Sequence, residues 1–298
     1  MSADDISASV VEAGLQGKRG RRVIEKITTV EHLEQRGLEN FRTLRRNDEH
    51  YKKGIFIAEG NKVVLRLLAG DFIIVSMLMT QEWFDRCREN LEQRREPVQV
   101  FITSDSLIKM IVGFNYHQGI IAVAKIPQSH TIETQHELQR ENALVVAFDE
   151  LNNAENVGVI IRNCAACGVD ALITSRTSSD PYLRRSVRNS MGSVFMLPVV
   201  YTDDLAETMR KLRNEYGFST VAAHLGRNST SLHSIDFRQK TCVILGNEHH
   251  GISPGVLAEC SAAMMIPMER NPIIDSFNVG CASAIILHEA FRQRSAVC

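Results

Sequence analysis

The sequence lacks any apolar run of about 18 residues, the length that a membrane-spanning helix needs, across its 298 residues. It also lacks a recognisable targeting segment. The start, MSADDISAS, has neither the basic nor the apolar region of a signal peptide, and its early acids disfavour a transit peptide. We therefore expect a cytoplasmic location and no membrane partner.

The sequence has little net charge, −1 at pH 7, so its overall balance does not mark a nucleic-acid-binding protein. The distribution is uneven, however. Residues 18–53 contain eleven Lys and Arg against six Asp and Glu, and a second basic cluster, RRSVR, runs from Arg184 to Arg188. Such clusters either bind phosphates or form ordinary solvated surface. The sequence leaves both interpretations open.

Several catalytic and metal-binding motifs are missing. The seven cysteines are scattered, and the lone CxxC of Cys164 and Cys167 has no second ligand pair. His249 and His250 are adjacent and therefore point apart, which disfavours one shared metal ion. The segment GNEHHGIS has the glycine spacing of a phosphate loop, but Ile252 stands where the loop lysine belongs. No GxSxG nucleophile elbow occurs. We expect no metal, no nucleotide triphosphate hydrolysis and no serine hydrolase.

What the chain does contain is an alternation of apolar, strand-like runs and helical patterns, with 44% apolar residues overall. This pattern predicts an α/β protein with parallel strands. We expect a basic arm and a charged helix over residues 1–50, and a small α/β domain over residues 51–126. A polar, apolar-poor stretch over residues 127–141 indicates a linker. Residues 142–298 would form a second, larger α/β domain.

The last third of the chain repeats one layout: a buried strand, a polar loop and a helix. The run from Cys242 to Leu245 precedes a loop with Glu248, and the run from Ala262 to Ile266 precedes a loop with Ser276 and Asn278. Open α/β sheets bind ligands at the carboxyl ends of their parallel strands, and helix N-termini offer free N–H groups. The layout predicts a polar small-molecule site.

Arg162 is the unusual residue of the first helix in this region. It follows the strand-like run ALVVAF, lies six residues after Asn156, and has the apolar neighbours Val159, Ile160 and Ile161. A charged side chain in such a helix either performs a function or snorkels and pairs with a carboxylate such as Asp149. Spacing alone does not decide between these.

Three segments resemble, in order, the motifs of the SpoU-type (SPOUT superfamily) RNA ribose 2′-O-methyltransferases. They are Asn156 to Arg162, Leu245 to Ser253, and Ile266 to Val279. RRSVRNSMGSVFMLPV also resembles the family segment between the first two motifs. The resemblance covers nearly all of residues 143–291. In the N-terminal part, FIAEG and HQGIIAVA resemble the ribosomal-protein-like, substrate-binding domain of many members.

The resemblance implies a fold, a cofactor and partners. The fold is a trefoil-knotted parallel sheet, which general topology rules would not suggest. The cofactor is S-adenosyl-L-methionine. The partners are RNA, with ribosomal RNA favoured over tRNA, and a second copy of the chain in a homodimer. The implied cofactor-binding residues are Leu245, Gly246, Asn247, Ile266, Met268 and Phe277. The implied catalytic residues are Arg162, Asn156, Glu248, Ser276 and Asn278.

The implied reaction transfers a methyl group from a sulfonium to a ribose 2′-hydroxyl. The family assigns activation of the hydroxyl to the arginine at position 162, but a guanidinium hardly ever deprotonates. Holding a phosphate and stabilising the developing alkoxide is physically easier. Asn156 would orient Arg162 or the ribose, Glu248 and Ser276 would organise the pocket, and Asn278 would hold the third loop.

The sequence departs from the family pattern in the third motif. The segment between Met268 and Ser276 is longer than usual and lacks an early glycine, Phe277 replaces a typical Leu, and Gly280 replaces a typical Ser. The altered loop from Met268 to Ser276 supports one alternative, a catalytically inactive RNA-binding or assembly protein of the same fold. A third alternative, an unrelated α/β nucleotide-binding enzyme, would require all three motif matches to arise by chance.

Overall fold

The computed structural model describes residues 24–112, 118–269 and 276–295. The chain divides into two compact units, the first ending at Pro127 and the second beginning at Gln128. Each unit is an α/β structure with its own sheet. The α/β class that the sequence predicts is therefore confirmed.

The first unit has a five-stranded mixed sheet in the order β1-β4-β3-β5-β2. Strands β1, β4 and β3 run parallel, and β5 runs antiparallel to both β3 and β2. Its elements are β1 (Ile24–Thr29), α1 (Glu39–Arg42), α2 (Asn47–Lys52), β2 (Ile55–Glu59), α3 (Asn61–Ala69), β3 (Ile74–Met79), α4 (Gln81–Glu92), β4 (Val98–Ile102), α5 (Asp105–Val112) and β5 (Ile120–Lys125).

The prediction of one charged helix before residue 51 is wrong at residues 24–29 and only partly met after them. Ile24–Thr29 is instead an edge strand paired with β4, and only two short helices follow it. The physical reason is that an edge strand needs just one paired side, so it tolerates charged and exposed residues that a helical pattern also contains. Ile27 is accordingly 49% exposed. The basic cluster from Lys18 to Arg22 lies outside the described residues.

The polar stretch expected as a linker contributes to the second unit. Ile132 and Leu138 lie in that unit's hydrophobic core, a short 3-10 helix spans His136–Gln139, and His130 forms a parallel bridge with Val200. Its few apolar residues are spaced to reach one core, which a count of polar residues does not reveal. The division of the chain into functional domains at residues 51, 127 and 142 stays a prediction.

The second unit has a seven-stranded sheet in the order β10-β12-β9-β11-β6-β7-β8, and every pair of neighbours is parallel. Its elements are β6 (Leu144–Asp149), α6 (Ala154–Ala166), β7 (Ala171–Ser175), α7 (Arg184–Asn189), β8 (Val199–Thr202), α8 (Leu205–Tyr216), β9 (Ser219–Ala223), β10 (Thr230–Ser231), β11 (Thr241–Gly246), α9 (Pro254–Ala258), β12 (Ala262–Met265) and α10 (Val279–Ser295). The trefoil knot stays a prediction.

Strands β6 and β11 form the centre of this sheet and carry the site. Both are buried along their whole length, and their register pairs Thr241 with Leu144 and Gly246 with Asp149. Because the pairing is parallel and in step, both strands end at the same edge of the sheet. The loops after β6 and β11 therefore start side by side.

Between the first two motifs, the apolar run from Ser193 to Val200 predicts a strand, but Ser193–Met196 is a 3-10 helix and β8 begins only at Val199. The 3-10 helix packs against α6, and apolar runs do not distinguish a strand from a buried turn.

No helix in the described part of the chain is both long enough and apolar enough to cross a membrane.

Candidate active site

Helix α6 begins at the carboxyl end of β6 with a side-chain cap. The Asn153 carboxamide oxygen accepts hydrogen bonds from the backbone N–H of Glu155 (2.8 Å) and of Asn156 (3.4 Å). Asparagine is a preferred capping residue because it satisfies N–H groups that the first helical turn leaves unpaired. The cap fixes the first turn of α6, and with it the position of Asn156.

Glu248, in the loop after β11, binds this helix start with both carboxylate oxygens. Its Oε1 accepts from Asn156 Nδ2 (2.9 Å) and from the backbone N–H of Asn153 (3.2 Å), and its Oε2 accepts from the N–H of Asn152 (3.2 Å). These contacts join residues more than ninety positions apart in the chain. Glu248 therefore fixes the β11 loop against the start of α6.

The same hydrogen bonds determine the charge state of Glu248. Burial acts to raise the pKa of this carboxyl, but the bonds donated by Asn156 and by the backbone N–H groups of Asn152 and Asn153 outweigh it and hold the pKa below its ordinary value. Glu248 is thus an anionic acceptor at neutral pH. This charge state suits a residue that positions others rather than a general acid.

Asn278 extends the contact to the third loop. Its Nδ2 donates to Asn156 Oδ1 (3.2 Å), and its own Oδ1 accepts from the backbone N–H of Gly280, the second residue of α10 (2.9 Å). Asn156 consequently donates to Glu248 and accepts from Asn278. The structure brings these three predicted residues together in one hydrogen-bonded chain, which we call the Asn156 triad.

Asn163, which the sequence interpretation missed, secures α10 against α6. Its Nδ2 donates to the backbone oxygen of Gly280 (3.0 Å) and to Ser283 Oγ (2.9 Å). A Cβ at Gly280 would lie 3.0 Å from Val159 Cγ1, so a side chain at position 280 would crowd this contact. The signal in the sequence was a polar residue seven positions after Asn156, which places both on the same face of α6.

Arg162 lies on the exposed face of α6, together with Glu155 and Val159. Over residues 24–112, 118–269 and 276–295 its guanidinium makes no hydrogen bond and no ion pair. The alternative that it pairs with Asp149 is wrong, because Asp149 is buried and accepts a 2.7 Å hydrogen bond from the N–H of Ser253. The Arg162 charge is therefore available to a ligand.

The loop after β11 is a tight hairpin over residues 247–251. Asn247 and Gly251 exchange two backbone hydrogen bonds of 2.9 Å, and Asn247 Nδ2 donates to the backbone oxygen of Glu150 (2.8 Å). A Cβ at Gly246 would lie 2.4 Å from the carbonyl carbon of Gly251, so only glycine fits there. The hairpin is consequently pinned to the β6 loop.

The remaining predicted residues differ in how much surface they offer. Leu245 is buried in the sheet, whereas Ile266 and Met268 are half-buried and Phe277 is 44% exposed. Residues 266–269 form neither helix nor strand. Ser276 is exposed near the end of the third loop, just before α10. These residues leave apolar surface and irregular backbone open at the carboxyl edge, as an organic cofactor requires.

Hydroxyl side chains after β7 support the β6 loop from its other side. The Ser175 and Ser178 hydroxyls accept from the N–H of Glu150 (3.3 Å) and of Leu151 (3.1 Å), and Ser179 Oγ donates to the backbone oxygen of Asn152 (2.6 Å). The sequence interpretation missed this support. The only signal of this support in the sequence was the set of hydroxyl-bearing residues in RTSSD, the segment that follows β7.

The basic cluster of α7 packs beside α6 at a glycine. A Cβ at Gly158 would lie 2.6 Å from both Asn189 Cβ and the backbone oxygen of Ser186, so the two helices touch there. Arg185 is exposed and lies 4.0 Å from the Glu155 carboxylate in the first turn of α6. Positive charge therefore borders the helix that carries Asn156 and Arg162.

In the described ranges no three His, Cys, Asp or Glu side chains are grouped closely enough to hold a metal ion. The cysteines of the described ranges form no disulfide. Cys164 and Cys242 are buried, and burial raises the pKa of each thiol well above its ordinary value. The site is consequently one of carboxylate, carboxamide, guanidinium and backbone groups.

Comparison with known proteins gives a family and several relatives. The model of the SpoU rRNA Methylase family matches residues 143–288. The 23S rRNA (guanosine-2′-O-)-methyltransferase RlmB of Acinetobacter baylyi is 26% identical, over 70% of this chain and 86% of its own. The 23S rRNA (uridine(2479)-2′-O)-methyltransferase of Streptomyces viridochromogenes is 28% identical, over 77% and 85%.

The fold also resembles solved structures. The crystal structure of an AdoMet-bound rRNA methyltransferase from Sinorhizobium meliloti superimposes with a TM-score of 0.79 at 25% identity. The superposition covers 89% of this chain and 98% of that one, so the similarity includes both units.

Proposed function

Because the chain belongs to the SpoU rRNA methylase family through its second unit, we propose that it transfers a methyl group from S-adenosyl-L-methionine to a ribose 2′-hydroxyl in RNA. Ribosomal RNA is the favoured substrate, since the two relatives described above are named for 23S rRNA. One of them is named for guanosine and the other for uridine, so their names do not fix the base.

The observation that carries this proposal is the Asn156 triad. Glu248, Asn156 and Asn278 come from the three separate motifs, and they meet through hydrogen bonds of 2.9 and 3.2 Å at the carboxyl edge of the sheet. Arg162 follows on the same helix without an intramolecular partner in the described ranges. A catalytic centre needs this combination of a rigid polar framework and an available charge.

The cofactor would bind at the ends of β11 and β12 and at the start of α10. Gly246 and Asn247 offer backbone groups there, and the exposed surfaces of Ile266, Met268 and Phe277 suit its apolar and aromatic parts. Leu245 would support the pocket from within the sheet. S-adenosyl-L-methionine supplies an electrophilic methyl group on a sulfonium.

Arg162 would act on the RNA rather than on the cofactor. An exposed guanidinium binds two oxygens of a phosphate through two parallel N–H bonds. Bound to the phosphate beside the target ribose, it would place the 2′-oxygen in line with the methyl group. It would also stabilise the alkoxide character that develops as the 2′-hydroxyl passes its proton to solvent and its oxygen takes the methyl group, with the sulfonium leaving as a neutral thioether.

The Asn156 triad would position these groups. Glu248 is anionic and already accepts three hydrogen bonds, so we assign it the orientation of Asn156 and not proton transfer. Asn278 caps α10 and would hold the third loop. Ser276, at the exposed end of that loop, would contribute its hydroxyl to the pocket.

A homodimer is the expected assembly. Helices α6 and α10 expose apolar side chains, with Val159, Ile285 and Phe291 exposed by 39%, 38% and 47%. A second subunit that covers these apolar side chains would remove them from water, and this burial would stabilise the dimer. Sedimentation of the chain, alone and with Val159→Arg, tests this: the wild type should sediment as a dimer and the variant as a monomer.

The first unit would bind RNA, and the basic segment over residues 18–53 would add phosphate contacts. Its affinity for RNA should therefore fall as salt concentration rises. RNA affinity that does not change with salt would contradict this part of the proposal. The trefoil knot and the cytoplasmic location remain predictions.

The proposal is tested by incubating the protein with total RNA and S-adenosylmethionine carrying a labelled methyl group, followed by separation of the RNA by size. Label in large ribosomal RNA supports the stated substrate class, and label in tRNA would replace it with the other substrate class. Binding of folded protein to RNA without any label would favour the inactive RNA-binding alternative. Calorimetry with S-adenosylmethionine then shows whether the cofactor pocket is intact.

A further inference from the structure

The hairpin over residues 247–251 presents two histidines at its tip, and we call it the histidine hairpin. Its stem is closed by the paired backbone hydrogen bonds between Asn247 and Gly251. Inside it, Asn247 Oδ1 accepts from the N–H of His249 (2.8 Å) and of His250 (3.1 Å). The backbone beneath both imidazoles is therefore fixed before any ligand arrives.

The three tip residues divide into an inward and an outward set. Glu248 turns inward to Asn156 and to the N–H groups of Asn152 and Asn153. His249 and His250 are exposed. In the described ranges neither imidazole makes a hydrogen bond or an ion pair, and the two rings contact each other. The hairpin thus carries two uncommitted aromatic rings directly beside the Asn156 triad.

The relative geometry of the two rings limits what they can hold. Their centroids are 6.4 Å apart and their planes are inclined by 60°. Two rings at that angle cannot enclose one flat ligand between parallel faces. They offer two separate faces, which suits successive groups of an extended strand better than one small molecule.

We propose that His249 and His250 form a stacking platform for bases of the RNA strand next to the target ribose. This inference rests on the proposed function and names the part of the protein that holds the substrate strand. Single-stranded RNA is commonly recognised by stacking unpaired bases on aromatic side chains, histidine included. A platform on a fixed backbone loses little conformational entropy when a base binds.

The position of the platform follows from Glu248. Glu248, in the same three-residue tip, binds Asn156 in the first turn of α6, so the rings belong to the loop that contacts the helix of Arg162. Arg162, which has no partner among the described residues, would bind the phosphate of a strand stacked on the rings. Base stacking and phosphate binding would then fix one nucleotide from two directions.

Equilibrium binding to purified ribosomal RNA tests the platform, with filter binding at several salt concentrations. The double variant H249A/H250A should bind RNA about tenfold more weakly, as loss of stacking surface predicts. The slope of affinity against salt should not change, because no phosphate contact is lost. Its dissociation constant for S-adenosylmethionine should stay at the wild-type value, and in the methyl-transfer assay KM for RNA should rise while kcat changes little.

Two further variants separate stacking from hydrogen bonding. H249F/H250F keeps aromatic faces and removes the ring nitrogens, so it should retain most of the RNA affinity. H249Q/H250Q keeps polar groups and removes the faces, so it should bind as weakly as the alanine variant. His233→Ala, an exposed histidine on the 3-10 helix Leu232–Ser234 of the same unit, is the matched control and should bind as the wild type does.

Unchanged RNA affinity in H249A/H250A would overturn the platform. So would affinity that the glutamine variant retains and the phenylalanine variant loses. These outcomes are distinct from failure of the proposed function, in which the wild type itself would transfer no methyl group to any RNA. Since the platform is measured by binding, it is tested in either case.

Discussion

The two units of the chain both contain an α/β sheet with a polar network at one edge, but the edges differ. In the first unit the network lies before the strands begin. Arg94 Nη1 donates to the backbone oxygens of Leu68 (3.0 Å) and Gly70 (2.7 Å), and Glu96 accepts from Arg94 Nε (2.9 Å) and from the N–H of Ile74, the first residue of β3 (3.0 Å).

In the second unit the network lies where the strands end. The Asn156 triad joins three loops, and the exposed Arg162 and the histidine hairpin lie beside it with polar groups that no described residue satisfies. The Arg94–Glu96 pair is mostly buried, with side chains 11% and 15% exposed, and its bonds end on backbone groups. Such a network stabilises a fold, whereas one that leaves exposed donors can bind a ligand.

The largest predicted effect, a loss of methyl-transfer rate, should follow from removing the charge at the carboxyl edge. Arg162→Ala should slow single-turnover methyl transfer by about 100- to 1000-fold, because a preorganised donor to the developing charge is lost. The thermal midpoint and the cofactor dissociation constant should change little, since Arg162 has no intramolecular partner in the described part of the chain. Arg238→Ala, which removes an exposed arginine paired with Asp236, is the control. Similar rates for both variants would contradict the assigned role.

The reciprocal change, at the amino edge of the first unit, should affect stability alone. Arg94→Ala removes the guanidinium that pairs with the Glu96 carboxylate and donates to the backbone oxygens of Leu68 and Gly70, so the free energy of unfolding in urea should fall by about 3 kcal/mol. Arg88→Ala, in an exposed pair with Glu92, should cost about 0.5 kcal/mol or less. In both variants the kcat for methyl transfer should match the wild type at temperatures where they are folded. A large loss of kcat in Arg94→Ala would show that the two edges are not separable.

A smaller loss of stability should follow from a substitution at the glycine where α6 packs against α7. Gly158→Ala would place a Cβ 2.6 Å from Asn189 Cβ and from a Ser186 backbone atom, forcing α7 away from α6. Overpacking of this kind lowers the free energy of unfolding by about 2 kcal/mol. Gly255→Ala, where no atom lies within 4 Å of the added Cβ, should instead raise it by roughly 0.5 kcal/mol or more, through helix propensity. Equal midpoints in chemical denaturation would disprove the close approach of α6 and α7.

The smallest predicted change in stability comes from the charge of Glu248, and this change depends on pH. Its folded pKa is below its ordinary value of 4.5, so the ionised form contributes stability above pH 4.5, and this contribution disappears as pH falls through the folded pKa. Glu248→Gln should therefore cost about 1 kcal/mol at pH 7 and progressively less below pH 4.5. A difference between wild type and variant that stays constant from pH 7 to pH 3 would contradict this. Asp236→Asn, at a similarly lowered carboxyl with exposed local partners, should change stability less at every pH.

Much of the second unit could be predicted from its sequence because its strands are uniformly apolar. β6 and β11 are buried on both faces, so their residues form continuous apolar runs, and the polar residues that follow mark their carboxyl ends. The motif resemblance placed Asn156, Glu248 and Asn278 in one site, and the structure brings those three together. Whether they perform the assigned roles remains a prediction.

Features that depend on distant contacts could not be predicted this way. β1 is an edge strand whose residues alternate poorly, and it is defined by its pairing with β4, seventy residues later. The contacts of Arg94, of Asn163 and of the hydroxyls after β7 likewise join backbone groups that local patterns do not relate. The sequence of the histidine hairpin was visible, yet only the hydrogen bond from Asn156 to Glu248 shows that the hairpin contacts α6.

The most direct test of the central claim uses one methyl-accepting RNA with a single change of atom. Once the target nucleotide is mapped, the same RNA is prepared with 2′-deoxyribose at that position, and methyl transfer from labelled S-adenosylmethionine is measured for both. The deoxy substrate should still bind but receive no label, because the reacting oxygen is absent. Label on the deoxy RNA at the wild-type rate would show that the methyl group goes to another atom and would contradict the proposed chemistry.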